Sequence, residues 1–198
     1  VLDSGIKWNE RDLLTQHYVN AAELRNCPPP GADATAADIF AEYDVNKDGV
    51  FNIRDYDRSE SLVDINQNGV RDPQDLIHAD DGDGACSDGV DGDGNGYVDD
   101  ISGWDFFWND NDPSDDTDYG HGTGEARDSA GEAHDGQGSP GVCPRCLILN
   151  VRVGDSFVVD VNQFSDGVVF SVESGAKVVQ EALGSLNNTP YTQYAVDY

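Results

Sequence analysis

Oxygen-bearing side chains recur at alternate positions in two stretches of this sequence. Residues 44–55 carry Asp or Asn at positions 1, 3, 5, 9 and 12, with a glycine at position 6. Residues 64–75 repeat the pattern twenty residues later. Alternate side chains and a backbone carbonyl at position 7 can converge on one hard cation, and the glycine permits the sharp turn that this needs. The spacing therefore predicts two calcium sites.

Both stretches match the spacing of the EF-hand loop, with Asp at position 12, where a longer Glu is usual. The shorter side chain favours structural sites filled by abundant extracellular calcium over a cytosolic sensor. The predicted ligands are Asp44, Asn46, Asp48, Val50, Asn52 and Asp55 in the first loop, and Asp64, Asn66, Asn68, Val70, Asp72 and Asp75 in the second.

A third stretch, residues 91–102, has the same start but ends in Ser102 at position 12. Another ligand must complete this loop, and the neighbouring Asp100 is our candidate. The predicted ligands here are Asp91, Asp93, Asn95, Tyr97, Asp99 and Asp100. The acidic residues of 80–83 and 110–118 can hold further ions, although no spacing rule assigns them. We expect two to four Ca²⁺ ions.

The charge of the chain is strongly negative and concentrated in one region. The 198 residues carry a formal net charge of −28, and residues 31–120 hold 25 acidic against 4 basic side chains. This balance excludes DNA, RNA and anionic membranes as natural partners, because each binds through excess Lys and Arg. No apolar run approaches the length of a membrane span, and no charged-then-apolar signal segment opens the chain. Cations are the natural partners.

Four cysteines, Cys27, Cys86, Cys143 and Cys146, allow three pairings. The last two have C-x-x-C spacing, which is compatible with thiol redox chemistry. Two structural disulfides in a secreted chain are the simpler interpretation. In that case we expect Cys27 to pair with Cys86 and Cys143 with Cys146.

Secondary-structure elements must position these groups, and the chain divides into three regions. An apolar strand opens residues 1–30, the acidic residues 31–120 follow, and residues 121–198 show strand–helix–strand–helix order. The apolar runs at residues 146–153 and 177–184 predict strands. Apolar residues recur at helical spacing over residues 161–172, which predicts a helix. Thr189 and Pro190 mark a helix start. This order predicts an α/β fold with a parallel sheet.

Two short motifs flank the acidic region: Asp3-Ser4-Gly5 at a strand end, and His121-Gly122-Thr123 at a helix start. Together, in this order, they resemble the subtilisin-like serine proteases. The resemblance implies that residues 1–30 and 121–198 form a partial subtilisin-like α/β domain, with residues 31–120 as a calcium-binding insertion. It further implies that Asp3 orients His121 and that Leu183 and Gly184 bind a peptide or protein substrate through their backbone.

The 198 residues contain no Gly-Thr-Ser, the motif that the family has at its nucleophilic serine. Only 77 residues follow His121, fewer than the roughly 90 that separate the histidine from the oxyanion donor in subtilisin. We therefore expect the N-terminal portion of a secreted, calcium-stabilised endopeptidase that is inactive alone, and a processed or excised piece of a longer product. The alternative is a non-catalytic extracellular protein that self-assembles into filaments or matrix through an exposed sheet edge at residues 179–183. The residues Gly124-Glu125, where the family has His and a small apolar residue, favour this alternative.

Overall fold

The computed structural model describes residues 1–57, 64–77, 86–117, 119–156 and 158–198. Three short parallel strands and five α-helices form in these ranges, together with 3₁₀ helices at Ala21–Leu24 and Ile53–Tyr56. In chain order the elements are β1 Leu2–Asp3, α1 Ile39–Tyr43, α2 Gln74–Ile77, β2 Gly103–Asp105, α3 His121–Ala130, β3 Asn150–Arg152, α4 Val161–Glu173 and α5 Pro190–Asp197.

The sheet has the order β1-β3-β2, with both pairs parallel. The register places Asp3, Arg152 and Asp105 side by side, each as the last residue of its strand. The expected α/β fold with a partial parallel sheet is therefore confirmed. The carboxyl edge of the sheet is where this arrangement gathers its charged side chains.

The helices of the last region begin where their capping residues predict. The Asp160 side chain caps α4, and the Thr189 hydroxyl accepts from the Thr192 amide at 3.1 Å, with Pro190 as the first residue of α5. Apolar residues of α4 pack on the sheet, in a cluster that contains Leu2, Val151 and Phe170.

The prediction of a strand over residues 177–184 is wrong. The described residues of this segment form only two isolated parallel bridges, Leu2 with Glu181 and Val158 with Gly184. The reason lies in β1, which is two residues long. Beyond Asp3 the backbone does not continue the ladder of inter-strand hydrogen bonds, because the Ser4 amide donates to the Asp3 carboxylate at 2.7 Å.

A second apolar cluster lies beneath the acidic region and includes Trp8, Leu24, Tyr43, Tyr56 and Leu76. A disulfide joins Cys27 to Cys86 next to it, and another joins Cys143 to Cys146, so all four cysteines are paired as expected. A third, smaller cluster packs α3 against the start of the chain. No helix in the described ranges is long and apolar enough to cross a bilayer.

Candidate active site and calcium loops

The end of β1 and the start of α3 bring two predicted site residues together across 118 positions. Nδ1 of His121 lies 2.7 Å from Oδ1 of Asp3. Asp3 is buried, and its Oδ2 has no hydrogen-bond partner among the described residues. With a proton on Nδ1, His121 donates to this carboxylate, which fixes the tautomer and leaves Nε2 as the basic nitrogen. This arrangement supports general-base chemistry at Nε2.

Glycine at position 122 permits this close approach. A β-carbon there would lie 2.2 Å from the Gly5 carbonyl oxygen and 3.0 Å from the β-carbon of Asp3. The Gly122 amide also donates to the Ser4 hydroxyl at 3.0 Å. The first turn of α3 is thus fastened directly to the residues that follow β1.

On its other side, His121 faces an open cavity of about 880 Å³. Nε2 of His121 lies 3.9 Å from Oε1 of Glu125, one turn along α3, which is beyond hydrogen-bond distance. The second oxygen of Glu125 accepts from the Gln180 side chain at 3.0 Å. The cavity is lined by Tyr119, Gly120, His121, Gly124, Glu125, Arg127, Asp128, Ser139, Pro140, Gly141 and Val142.

The predicted substrate-binding pair lies outside this cavity lining. The Gly184 carbonyl accepts from the Val159 amide at 2.9 Å, and the Leu183 amide donates to the Glu181 carboxylate at 3.2 Å. Both backbone groups are therefore engaged within the chain. Their role toward a substrate stays a prediction.

The first two acidic loops have the same internal hydrogen bonding. The carboxylate at position 1 accepts from the amides at positions 5 and 6, and the glycine at position 6 has a left-handed φ of 93° or 91°. At position 12, Asp55 and Asp75 each accept from the amides at positions 3 and 9. Residue 12 thereby closes both loops from the far side.

In the third loop, Glu23 occupies this closing position. Its Oε1 accepts from the amides of Gly92 and Asp93, loop positions 2 and 3, at 2.8 and 2.9 Å. Its Oε2 accepts from the amide of Asp99, loop position 9, at 3.1 Å. Carboxylate oxygens of Glu23, Asp91 and Asp93 lie within 4.8 Å of one another and could hold a metal ion. Sequence reasoning missed Glu23.

Asp100, also within the third loop, accepts a hydrogen bond from the side-chain amide of Asn95 at 2.9 Å. Burial raises the pKa of Asp100 to about 8, and the charges of Asp93 and Glu23 act in the same direction. Burial likewise raises the pKa of Glu23 to about 7. These shifts reflect carboxylates that are crowded together away from water. A divalent cation among them would relieve that cost.

Two predicted ligands at position 9 direct their side chains elsewhere. Asn52 caps the 3₁₀ helix Ile53–Tyr56, and Asp99 accepts from the amides of Asp88 and Gly89 at 2.9 Å. In the second loop, burial raises the pKa of Asp72, at the same position, to about 6. The candidate ligands of 80–83 lie outside the described residues.

Asp12 is a further acidic residue that the sequence pattern did not single out. It is 3% exposed, and neither carboxylate oxygen has a hydrogen-bond partner among the described residues. The nearest cation is Nε of the half-exposed Arg127, 3.6 Å from Oδ2. The backbone of Gly138 packs so closely that a β-carbon there would lie 2.1 Å from Oδ2. Asp12 is isolated in the sequence, so no spacing signal could have identified it.

Comparisons with known proteins point to one family of peptidases. The sequence model of the subtilase family matches residues 1–198. Thermitase from Thermoactinomyces vulgaris is 33% identical over 99 residues, which are 50% of this chain and 35% of thermitase. A thermophilic serine proteinase from Bacillus sp. (strain AK1) is 34% identical over 99 residues, 50% of this chain and 24% of that protein. The chain thus spans about a third and a quarter of these two relatives.

Proposed function

Because this chain belongs to the subtilase family, we propose that Asp3 and His121 are the aspartate and histidine of a serine-peptidase triad. The 2.7 Å contact between Nδ1 and Oδ1 is the observation that carries the proposal. His121 would take the proton of a serine hydroxyl at Nε2 while the Asp3 carboxylate stabilises the imidazolium that forms. The substrates would be peptides or proteins, with Leu183 and Gly184 contributing backbone contacts.

The nucleophile is the part of the triad that these 198 residues do not supply. They contain no Gly-Thr-Ser. We therefore expect that the chain by itself does not hydrolyse peptides, since the motif that carries the nucleophilic serine is missing from its sequence. The absence of hydrolysis by the isolated 198-residue chain checks this point, and turnover by that chain would contradict it.

The test of the triad is fluorophosphonate labelling of the protein at its natural length. We expect labelling that is lost in His121→Ala, because the serine then has no base. Asp3→Asn should reduce peptide hydrolysis by about 10⁴-fold while leaving the fold intact, since the wrong tautomer is then favoured. His134→Ala, the same change at an exposed histidine outside the cavity, is the matched control. Full labelling of the His121→Ala protein would overturn the proposal.

We further propose that the acidic loops bind calcium and that calcium stabilises the scaffold. The three loops provide oxygen-only ligands in EF-hand order, which suits a hard cation. The ligands of the third loop would be Asp91, Asp93, Asn95 and the Tyr97 carbonyl, closed by Glu23, with Asp100 beside them. The ring of Tyr97 packs against Trp104 and Phe170, so this loop is anchored to the core on α4.

Asp12 fits a cation by a different criterion. Two buried carboxylate oxygens without hydrogen bonds are costly, and Arg127 lies too far from them to donate. A bound calcium ion would satisfy these oxygens. Family membership agrees with this proposal, because subtilases commonly bind Ca²⁺.

The acidic region would be an insertion into the peptidase scaffold. Residues 31–120 contribute most of the second apolar cluster and also the edge strand β2, while residues 1–30 and 121–198 supply β1, β3 and α3 to α5. Two disulfides and structural calcium sites suit an extracellular location. Assembly through the edge at residues 179–183 stays a prediction, as does a filament.

A further inference from the structure

We propose that Asp115 is a positioning residue for His121, acting through the hydroxyl of Thr123. The inference rests on the proposed function only in giving His121 its role as a base. Asp115 belongs to the acidic stretch 110–118, which the sequence pattern offered as a place for further ions. Its contacts in the structure point to helix positioning instead.

The Asp115 carboxylate is buried and bonded to the first turn of α3. Its Oδ2 accepts from the Thr123 hydroxyl at 2.7 Å, and its Oδ1 accepts from the Thr117 hydroxyl at 2.7 Å. Thr123 also accepts, from the Lys7 amide at 3.0 Å. Because Asp115 takes the hydroxyl proton, the oxygen of Thr123 presents a lone pair to Lys7. One carboxylate thus orients a hydroxyl that joins α3 to the segment following β1.

α3 benefits from this support because no described side chain caps its first turn from the N-cap position. Gly120 precedes the helix with a left-handed φ of 66° and has no side chain that could accept from the first turn. The Asp115 carboxylate packs against Gly120, where a β-carbon would lie 3.7 Å from Oδ2. A negative charge at this end of a ten-residue helix is favourable, since the helix dipole is positive there. Asp115 therefore stabilises the turn that carries His121.

The segment that carries Asp115 is itself fixed to the sheet. The Asp115 amide donates to the Ile6 carbonyl at 3.2 Å. The buried guanidinium of Arg152, the last residue of β3, donates to the Ser114 carbonyl at 3.0 Å and to the Asp116 carboxylate at 2.6 Å. Two contacts among the described residues thus help to set the position of His121 relative to Asp3. In one, the Ser4 hydroxyl accepts a hydrogen bond from the Gly122 amide. In the other, the Asp115 carboxylate accepts a hydrogen bond from the Thr123 hydroxyl.

The test reads the Asp3–His121 hydrogen bond directly, by NMR of the calcium-loaded 198-residue chain. The Nδ1 proton of His121 should be strongly deshielded and protected from exchange with water. In Asp115→Asn and in Thr123→Val we expect that proton to exchange about tenfold faster or more, because a charge-assisted bond that orders the turn is lost. Amide spectra identify the folded protein in each sample.

Matched variants keep the test decisive if one of these chains folds poorly. Thr123→Ser retains the hydroxyl and should retain the protected proton. Asp155→Asn removes the same charge at an exposed residue that follows β3, and should leave the proton unchanged. The proposal is overturned if folded Thr123→Val matches the parent chain, or if Asp155→Asn has the same effect as Asp115→Asn. Because no hydrolysis is measured, failure here is distinguishable from failure of the triad proposal.

Discussion

The Asp3–His121 pair and the third acidic loop both bury carboxylates, but they differ in what faces those charges. Asp3 has a titratable base at 2.7 Å. The carboxylates of the loop face one another, and burial together with neighbouring charge raises the pKa of Asp100 to about 8. The Asp3–His121 pair contains both partners of a hydrogen bond, whereas no basic side chain pairs with these loop carboxylates among the described residues. The comparison predicts that the geometry of the pair does not need an added ion, whereas the acidic region needs a bound cation.

Removal of calcium should produce the largest effect and should affect the two regions unequally. A site held at a thousandfold its Kd contributes about 4 kcal/mol, so EDTA should lower Tm by roughly 10 °C for each such site lost. Limited proteolysis should cut first within residues 31–120. Equal protease resistance of that region with and without EDTA would contradict the account.

Gly122→Ala tests the Asp3–His121 pair, because the added methyl group would push the start of α3 away from the end of β1. The added β-carbon would meet the Gly5 carbonyl oxygen at 2.2 Å, a backbone atom that cannot rotate away. We expect a loss of about 3 kcal/mol in the free energy of unfolding, measured by urea denaturation with calcium present.

Gly124→Ala is the control for this substitution, in the same helix. No heavy atom lies within 4 Å of its β-carbon position, so alanine should stabilise α3 by about 0.5–1 kcal/mol. Equal effects of the two substitutions would show that the close approach at Gly122 does not matter.

His17 provides a smaller effect that calcium should not rescue. It is completely buried beside Trp8, and burial lowers the pKa of His17 to about 4. Between about pH 6.5 and pH 4 the unfolded chain binds a proton that the folded chain does not, so stability falls as pH falls. The expected loss is about 3 kcal/mol.

The measurement is the free energy of unfolding against pH in saturating calcium, for the parent chain and for His17→Phe. The variant should lose this part of the pH dependence, since it has no imidazole to protonate. An unchanged slope between pH 6.5 and 4 would show that His17 is not the group responsible.

What the sequence could predict depended on how local each signal is. The loops at 44–55 and 64–75 are encoded by side chains within twelve residues, and α5 by its own Thr189 and Pro190. The Asp3–His121 contact was reached only because each residue carries a recognisable motif. Glu23 has no such motif and lies 68 residues before Asp91. Only the folded chain shows that it closes the third loop.

The strand expected over 177–184 failed for a related reason. Its apolar composition describes the segment, but ladder formation depends on the length of the neighbouring strand, and β1 has two residues. Asp12 was missed because burial without a hydrogen-bond partner is a property of the fold. Pairing and burial are long-range properties, and the pattern of nearby residues does not contain them.

The most direct measurement is the number of calcium ions bound to the 198-residue chain, counted by native mass spectrometry beside Glu23→Gln. The parent should hold four ions, one in each of the three loops and one at Asp12, and Glu23→Gln should lose one at limiting calcium, because its carboxylate closes the third loop. Glu42→Gln, an exposed acid with the same change, should bind as the parent does. A parent chain that binds no calcium, or a Glu23→Gln chain that binds as many ions as the parent, would contradict the account.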